Sequence, residues 1–138
     1  MKKLTVFTLV LLLCIPVLTL ATDGSIRNER NQLIGVIRSD GTVRNASTTI
    51  GMIKADGTIR NMSTTTGKIA ADGTIRNSTN QILGKVESDG TVRNERNQIL
   101  GKIENNGTVK NGRNQNMGSA PGLKKEWVAV FFFFTFFD

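Results

Sequence analysis

The feature that most constrains the fold is a six-residue phrase that recurs six times along the chain. DGTIRN occurs at residues 56–61 and 72–77, and close variants begin at residues 23, 40, 89 and 106. The starts are spaced 17, 16, 16, 17 and 17 residues apart. One such unit is too short to bury an apolar face of its own, so the units must pack together into a single small domain.

Each unit contains two short β-like runs, as in residues 89–105, where they read Gly-Thr-Val-Arg-Asn and Gln-Ile-Leu-Gly-Lys-Ile-Glu. No 3.6-residue period fits across the unit, and turn-forming residues separate the runs, which indicates an all-β architecture. In the first run, alternation places an apolar β-branched residue on the inner face and a basic residue on the outer face. The inner residues are Ile26, Val43, Ile59, Ile75, Val92 and Val109.

The Asp-Gly pair of each unit predicts a hairpin tip that joins the second strand of one unit to the first strand of the next. Asp40 and Gly41, for example, lie between the apolar runs that end at Ile37 and begin at Val43. The pair favours a type I′ turn, in which both central residues have positive φ. The turn explains these aspartates without catalysis or metal binding. The Asn that ends each first run is likewise predicted to be structural, bonding turn backbone.

A single glycine interrupts every second run. An apolar residue usually precedes this glycine and another follows two positions later, and these two positions have opposite parity in a flat strand. A β-bulge or bend at the glycine would turn both residues inward. The glycines are Gly35, Gly51, Gly67, Gly84, Gly101 and Gly118.

The copies supply five complete hairpins, one unpaired first strand at residues 25–28 and one degenerate second strand at residues 115–118. The unpaired halves can pair with each other and remove the open edge. The prediction is therefore an all-β closed ring of short hairpins with about five-fold pseudo-symmetry. Whether five or six petals close the ring stays open, and a short β-solenoid with two exposed edges is the alternative.

The N-terminus has the pattern of a secretory signal peptide at residues 1–21, with a basic start, an apolar stretch over residues 4–20 and cleavage after Ala21. The alternatives are an uncleaved anchor and a lipoprotein acylated at Cys14. Cleavage removes Cys14, the only cysteine, so we expect an exported protein without disulfides. It would reach the periplasm, the outer surface or the exterior. A hairpin repeat domain is predicted over residues 22–121.

The segment 122–138 is of a different kind, because from Trp127 to Phe137 every residue is apolar except Thr135, and six of these eleven are Phe. Such a segment is too apolar to lie in solvent, so we expect it to pack in the ring as a central plug. A helix would satisfy its own backbone there, although Phe and Val also favour strand. The alternative is a membrane interface, with Lys124, Lys125 and Trp127 at the boundary.

The residues carry little chemistry. The chain has no His and no Tyr, its aspartates lie in predicted turn tips, and Glu87 and Glu104 lie beside exposed lysines, so neither enzymatic activity, a metal nor a cofactor is expected. Its net charge of +7, or +5 without Lys2 and Lys3, favours an acidic surface or envelope component as partner. Export and the absence of aromatics among the basic strands argue against nucleic acid. The candidate partner-binding residues are Arg27, Arg44, Arg60, Arg76, Arg93 and Lys110.

The chain resembles the bacterial five-fold β-flower proteins in its DGTIRN repeat, its glycine-centred I/L-G-K-I/V run and its KEWVAVFFFF C-terminal segment, together with the secretion signal at the N-terminus. The resemblance covers residues 23–137 and implies hairpin petals around a five-fold axis, with no functional residues to carry over. Thr65 and Thr66 replace apolar residues, so imperfect symmetry is expected. The expected role is an exported structural or interaction module, and the alternative is membrane association through the Phe-rich tail.

Overall fold

A computed structural model describes residues 24–137 as a closed antiparallel β-barrel of twelve strands with one helix inside it. The predicted signal peptide and its cleavage site lie outside the described residues. The strands are β1 (Gly24–Asn28), β2 (Leu33–Ile37), β3 (Thr42–Arg44), β4 (Thr49–Ile53), β5 (Thr58–Asn61), β6 (Thr65–Ile69), β7 (Thr74–Asn77), β8 (Ile82–Val86), β9 (Thr91–Asn94), β10 (Ile99–Ile103), β11 (Thr108–Asn111) and β12 (Asn116–Ser119). The helix is α1 (Lys125–Phe132).

Every strand pairs with its neighbours in the chain, and β1 pairs with β12 to close the barrel. Four Asp-Gly turns join β2 to β3, β4 to β5, β6 to β7 and β8 to β9, and an Asn-Gly turn at Asn106-Gly107 joins β10 to β11 in the same way. The two terminal strands form the sixth pair, with Arg27 opposite Ser119 and Asn28 opposite Gly118. The closed ring is therefore confirmed against the open solenoid, and it closes with six strand pairs.

The Asp-Gly turns differ from the predicted type I′ geometry. In the first of them, the Gly41 amide donates to the Arg38 carbonyl (2.9 Å) and the Arg38 amide donates to the Thr42 carbonyl (2.9 Å). Gly41 has a φ of +93°, whereas Asp40 is not among the residues with positive φ. This is a type I turn followed by a left-handed glycine, so the type I′ prediction is wrong. In this geometry the Asp40 carboxylate accepts a hydrogen bond from the Thr42 amide (2.9 Å).

A second kind of turn, which we call the asparagine turn, joins the two strands within a unit and explains the uneven repeat spacing. In the first unit the Asn28 amide donates to the Gln32 carbonyl (3.0 Å), and Asn31 has a φ of +64°. In the two 16-residue units the turn is one residue shorter, and the Asn45 amide donates to the Thr48 carbonyl (3.0 Å). In both versions the Oδ1 atom of the first Asn accepts two turn amides, which confirms its structural role.

The inner face of the barrel is the predicted one. All six inward residues of the first strands are fully buried. The register shifts just before each second-strand glycine: Ile26 pairs with Gly35 and Arg27 pairs with Leu33, which leaves Ile34 as a bulge. The predicted bulge is confirmed, and it lets Ile34 pack half-buried against the core. The residues two positions after the glycines are buried as well, namely Ile37, Ile53, Ile69, Val86, Ile103 and Ala120.

The Phe-rich segment packs inside the barrel. Val128, Ala129 and Val130 of α1 are fully buried, and they fill the axis of a cylinder wider than the eight-stranded barrels that side chains alone can fill. The helix satisfies its own backbone within this apolar interior. It ends at Phe132, and the remaining residues to Phe137 are not helical, so the helix prediction is confirmed for the first part of the segment.

Each of the six second-strand glycines faces one phenylalanine ring. A Cβ atom added at Gly35 would lie 2.6 Å from Cζ of Phe131, and one added at Gly101 would lie 2.5 Å from Cζ of Phe133. A side chain in the wall would occupy the space of the ring, so these positions need glycine for the close approach. The pairs are Gly35–Phe131, Gly51–Phe137, Gly67–Phe136, Gly84–Phe134, Gly101–Phe133 and Gly118–Phe132.

Candidate functional site at the asparagine-turn end

The two kinds of turn lie at opposite ends of the barrel, because every strand runs from one kind to the other. The first turns of α1 are at the Asp-Gly end, where Trp127 and Lys54 line one concavity. The phenylalanines follow at the asparagine-turn end, where Phe131 and Phe137 line a concavity with Asn45. Trp127, one of the residues proposed as a membrane boundary, therefore precedes the first phenylalanine of the cluster by one helical turn and lies nearer the opposite end of the barrel.

The predicted basic ring lies on the outer face, beside the asparagine turns, and its arginines are already engaged. Nη1 of Arg27 donates to the Asn31 carbonyl (3.0 Å). Arg76 and Arg93 make the same bond to the equivalent carbonyls in their own units (3.0 and 2.9 Å). In the shorter turns, Arg44 and Arg60 donate to a threonine hydroxyl instead (2.9 Å each). These guanidinium groups brace the turns, which limits what they can offer a partner.

Lys110, the sixth member of the ring, differs from the arginines. Its ammonium group makes no hydrogen bond or ion pair with any residue in 24–137. Arg93 is the most engaged member, since its Nε atom also lies 3.3 Å from the Glu87 carboxylate, at a site where both side chains remain partly exposed. Such an exposed ion pair stabilises a fold by less than about 1 kcal/mol. The ring is thus uneven in charge availability.

Three further arginines were missed by the sequence analysis. Arg30, Arg96 and Arg113 occupy the third position of the longer asparagine turns and are exposed. Within residues 24–137 their guanidinium groups make no hydrogen bond or ion pair. Their turns are consecutive around the closed barrel, since β1 lies beside β12. The signal was present in the repeated Arg-Asn of NERN, NERN and NGRN, but the cluster depends on the closure.

The net charge is concentrated at this end. The asparagine-turn end carries two acidic residues, Glu29 and Glu95, and nine basic ones: Arg27, Arg30, Arg44, Arg60, Arg76, Arg93, Arg96, Lys110 and Arg113. The Asp-Gly end carries seven of each: Arg38, Lys54, Lys68, Lys85, Lys102, Lys124 and Lys125 with Asp40, Asp56, Asp72, Glu87, Asp89, Glu104 and Glu126. Counted by the nearer turn along the chain, the excess of seven positive charges in residues 24–137 falls to the asparagine-turn end, while Lys68, Lys85 and Lys102 lie directly opposite the basic-ring residues of the next strand.

The lysines of the second strands have acidic neighbours at the Asp-Gly end. The pKa of Asp72 lies below its ordinary value of 3.8, first because the Thr74 amide donates to the carboxylate, and further because of the charge of Lys85. Lys68 and Lys102 act in the same way on the aspartates of their neighbouring turns. Each of these lysines therefore lies near the carboxylate of a turn aspartate.

The exposed apolar residues lie at the same end as the positive charge. Four large hydrophobic side chains are exposed in residues 24–137: Leu33 (42%), Met62 (68%), Ile82 (48%) and Ile99 (53%). All four lie in or next to asparagine turns. Three of them, Leu33, Ile82 and Ile99, lie on the outer wall directly opposite arginines of the basic ring, and Met62 lies within a turn. Inside the mouth, five of the six phenylalanines are half-buried. This end of the barrel therefore combines cations, aliphatic side chains and aromatic rings.

The described residues contain no group of three or more His, Cys, Asp or Glu side chains placed to hold a metal ion. No helix in this part of the chain has the length and hydropathy required to cross a bilayer.

The comparisons with known proteins identify a family. No curated protein matches the chain, and no solved structure matches it. The family described as 5-fold beta-flower protein has a model that matches residues 47–137, from the second asparagine turn to the end of the Phe-rich segment. This match covers more than half of the chain, and the structure beneath it is the barrel of hairpins with its plug. The chain therefore belongs to the five-fold β-flower protein family.

Proposed function

We propose that this protein is an exported interaction module whose asparagine-turn end binds an anionic surface of the bacterial envelope or exterior. The β-flower family is not known as a family of enzymes, which supports a non-catalytic role. Export is inferred from the signal-peptide pattern of residues 1–21. The twelve-stranded wall then acts as a rigid scaffold that presents one basic end.

The observation that carries the proposal is the unequal charge of the two ends. Clustered positive charge of one sign raises the local concentration of anions and steers their approach. At physiological ionic strength the Debye length is about 8 Å, so only charges at the contact face act strongly on a partner. The three turn arginines are exposed, and their guanidinium groups make no hydrogen bond or ion pair within residues 24–137, so they supply the main attraction.

The proposal is tested with immobilised dextran sulfate as the anionic probe. The variant Arg30→Gln/Arg96→Gln/Arg113→Gln should weaken binding about ten-fold or more and should make the remaining binding less sensitive to salt. The matched control is Lys68→Gln/Lys85→Gln/Lys102→Gln, which removes the same charge from side chains near the Asp-Gly end. We expect this control to weaken binding by less than about three-fold.

An equal loss of binding in both triple variants would contradict the proposal, because binding would then follow net charge alone. Binding of the parent protein that is independent of salt would contradict it as well. All six substituted residues are on the outer surface, so a far-UV circular dichroism spectrum like that of the parent protein establishes that each variant remains folded.

A further inference from the structure

Resting on the proposed function, we infer that the anionic surface is a phospholipid bilayer, on which the asparagine-turn end lies with its aliphatic side chains among the head groups. Binding of a soluble polyanion or an acidic polysaccharide requires only basic side chains. This end adds Leu33, Met62, Ile82 and Ile99, which are between 42% and 68% exposed. Interfacial binding to membranes requires both components, since it grows with buried apolar area and with attraction to anionic lipids.

The arrangement of the two components supports a planar target. The asparagine turns project from one rim of a closed barrel, so their tips define a ring. The unpaired arginines lie on three consecutive turns, and Met62 lies on the opposite part of the ring. Aliphatic contacts are therefore distributed around the rim instead of forming one groove, which suits a flat surface better than a peptide or a helix.

The Phe-rich segment has a different role from that of a released tail. Val128, Ala129 and Val130 are fully buried, and Phe136 is 6% exposed, so extraction of the segment would open the core. The half-buried rings instead fill the mouth inside the rim, and Thr135 between them is exposed. The plug thus presents half-buried aromatic rings inside the rim, where Phe131, Phe134 and Phe137 line a concavity with Asn45. The protein binds the interface as a folded body and does not span the bilayer.

Sedimentation with vesicles separates this inference from the proposed function. Vesicles of phosphatidylglycerol and phosphatidylcholine should bind the parent protein, and vesicles of phosphatidylcholine alone should not. Met62→Ser/Ile99→Ser should lower vesicle binding about ten-fold and leave dextran sulfate binding unchanged, because only apolar contact is lost. The matched control is Met52→Ser on the side wall of the barrel, which should leave vesicle binding within about two-fold of the parent.

The orientation is tested with the single tryptophan. Trp127 lies at the Asp-Gly end, so brominated phosphatidylglycerol should leave its fluorescence unchanged in the bound protein. In the variant Trp127→Phe/Thr135→Trp, the indole moves to the proposed contact face and should be quenched. Quenching of Trp127 instead would overturn the inference.

The remaining outcomes are also decisive. Binding to dextran sulfate without binding to anionic vesicles would overturn the lipid inference and leave the proposed function standing. Equal vesicle binding by the parent protein and by Met62→Ser/Ile99→Ser would also overturn it, since the attraction would then be electrostatic only. Absence of binding to either probe would overturn both proposals.

Discussion

The contact between the plug and the glycine wall predicts the effect of Phe136→Ala on stability. Phe136 is the most buried of the six plug phenylalanines (6% exposed), and its ring centroid lies 6.3 Å from that of Phe134. The wall opposite is Gly67, which has no side chain to move into the vacated space. Truncation of a buried Phe costs about 3–5 kcal/mol, and the cost is high where the site cannot collapse. We therefore expect a loss of about 4 kcal/mol.

Urea unfolding followed by far-UV circular dichroism measures this loss, and the slope of the transition should remain unchanged. For a domain of this size the melting temperature should fall by about 10–20 °C. The control is Thr135→Ala, next in sequence but exposed, which should change stability by less than about 0.5 kcal/mol. If Phe136→Ala lost less than about 1 kcal/mol, the packing of the segment against Gly67 would be refuted.

A double-mutant cycle tests the same contact more directly. In Gly67→Ala, the added Cβ would meet the Phe136 ring and would lie 2.5 Å from the carbonyl oxygen of Arg76. The second clash persists in Gly67→Ala/Phe136→Ala, and the first disappears. The combined loss should therefore be smaller than the sum of the two single losses by about 1 kcal/mol or more. Strict additivity would show that the two residues do not touch.

Two further predictions concern the Asp-Gly turns. Gly73→Ala should destabilise the domain by more than about 1 kcal/mol, because φ is +91° and the added Cβ would meet the Val86 carbonyl. The control Gly122→Ala should lower stability less, because φ is +81° there but a Cβ would have no atom within 4 Å. Equal losses in thermal melts would exclude the clash. The pKa of the turn aspartates is lower in the folded protein than its ordinary value of 3.8, so the ionised carboxylates stabilise the fold. This stabilisation is complete at pH values above 3.8, and it is lost as the pH falls through the folded-state pKa. Changing Asp40, Asp56, Asp72 and Asp89 to Asn should keep the turns, because Asn106 already accepts the equivalent hydrogen bond from the Thr108 amide (3.0 Å). In this variant the melting temperature should fall less steeply as the pH is lowered. Parallel curves for the two proteins would contradict this.

Much of the fold was predictable because the same local residue pattern occurs six times along the chain. Alternation identified Ile26, Val43 and their equivalents as inward, and all are fully buried. Opposite parity around Gly35 required a bulge, and the register shift lies at Ile34. The unpaired strands at the two ends of the repeat required closure, because an open edge would leave backbone groups unpaired. Each inference depended on local geometry, which one unit is long enough to express.

The turn type could not be predicted from the Asp-Gly pair alone. Glycine at positive φ is needed both in a type I′ turn and in a type I turn with a left-handed glycine. The turn type depends on which two residues pair across the loop. Here Arg38 pairs with Thr42, which gives the longer loop, the type I turn with a left-handed glycine. Cross-strand register is set by the packing of whole strands against the core, so it cannot be predicted from the four residues of the turn alone.

The candidate site was the part least accessible from the sequence. Arg27 and Arg30 are both basic and lie three positions apart, yet Arg27 donates to the turn carbonyl of Asn31 and Arg30 makes no hydrogen bond or ion pair through its guanidinium group within residues 24–137. Composition determined the excess of positive charge, whereas the direction of the turns placed it at one end. Alternation and composition were enough to predict the strands, their inward faces and the presence of an apolar plug. The matching of six rings to six wall glycines, and the union of charge with exposed aliphatics, were decided by barrel closure, because they join residues that are distant in the chain.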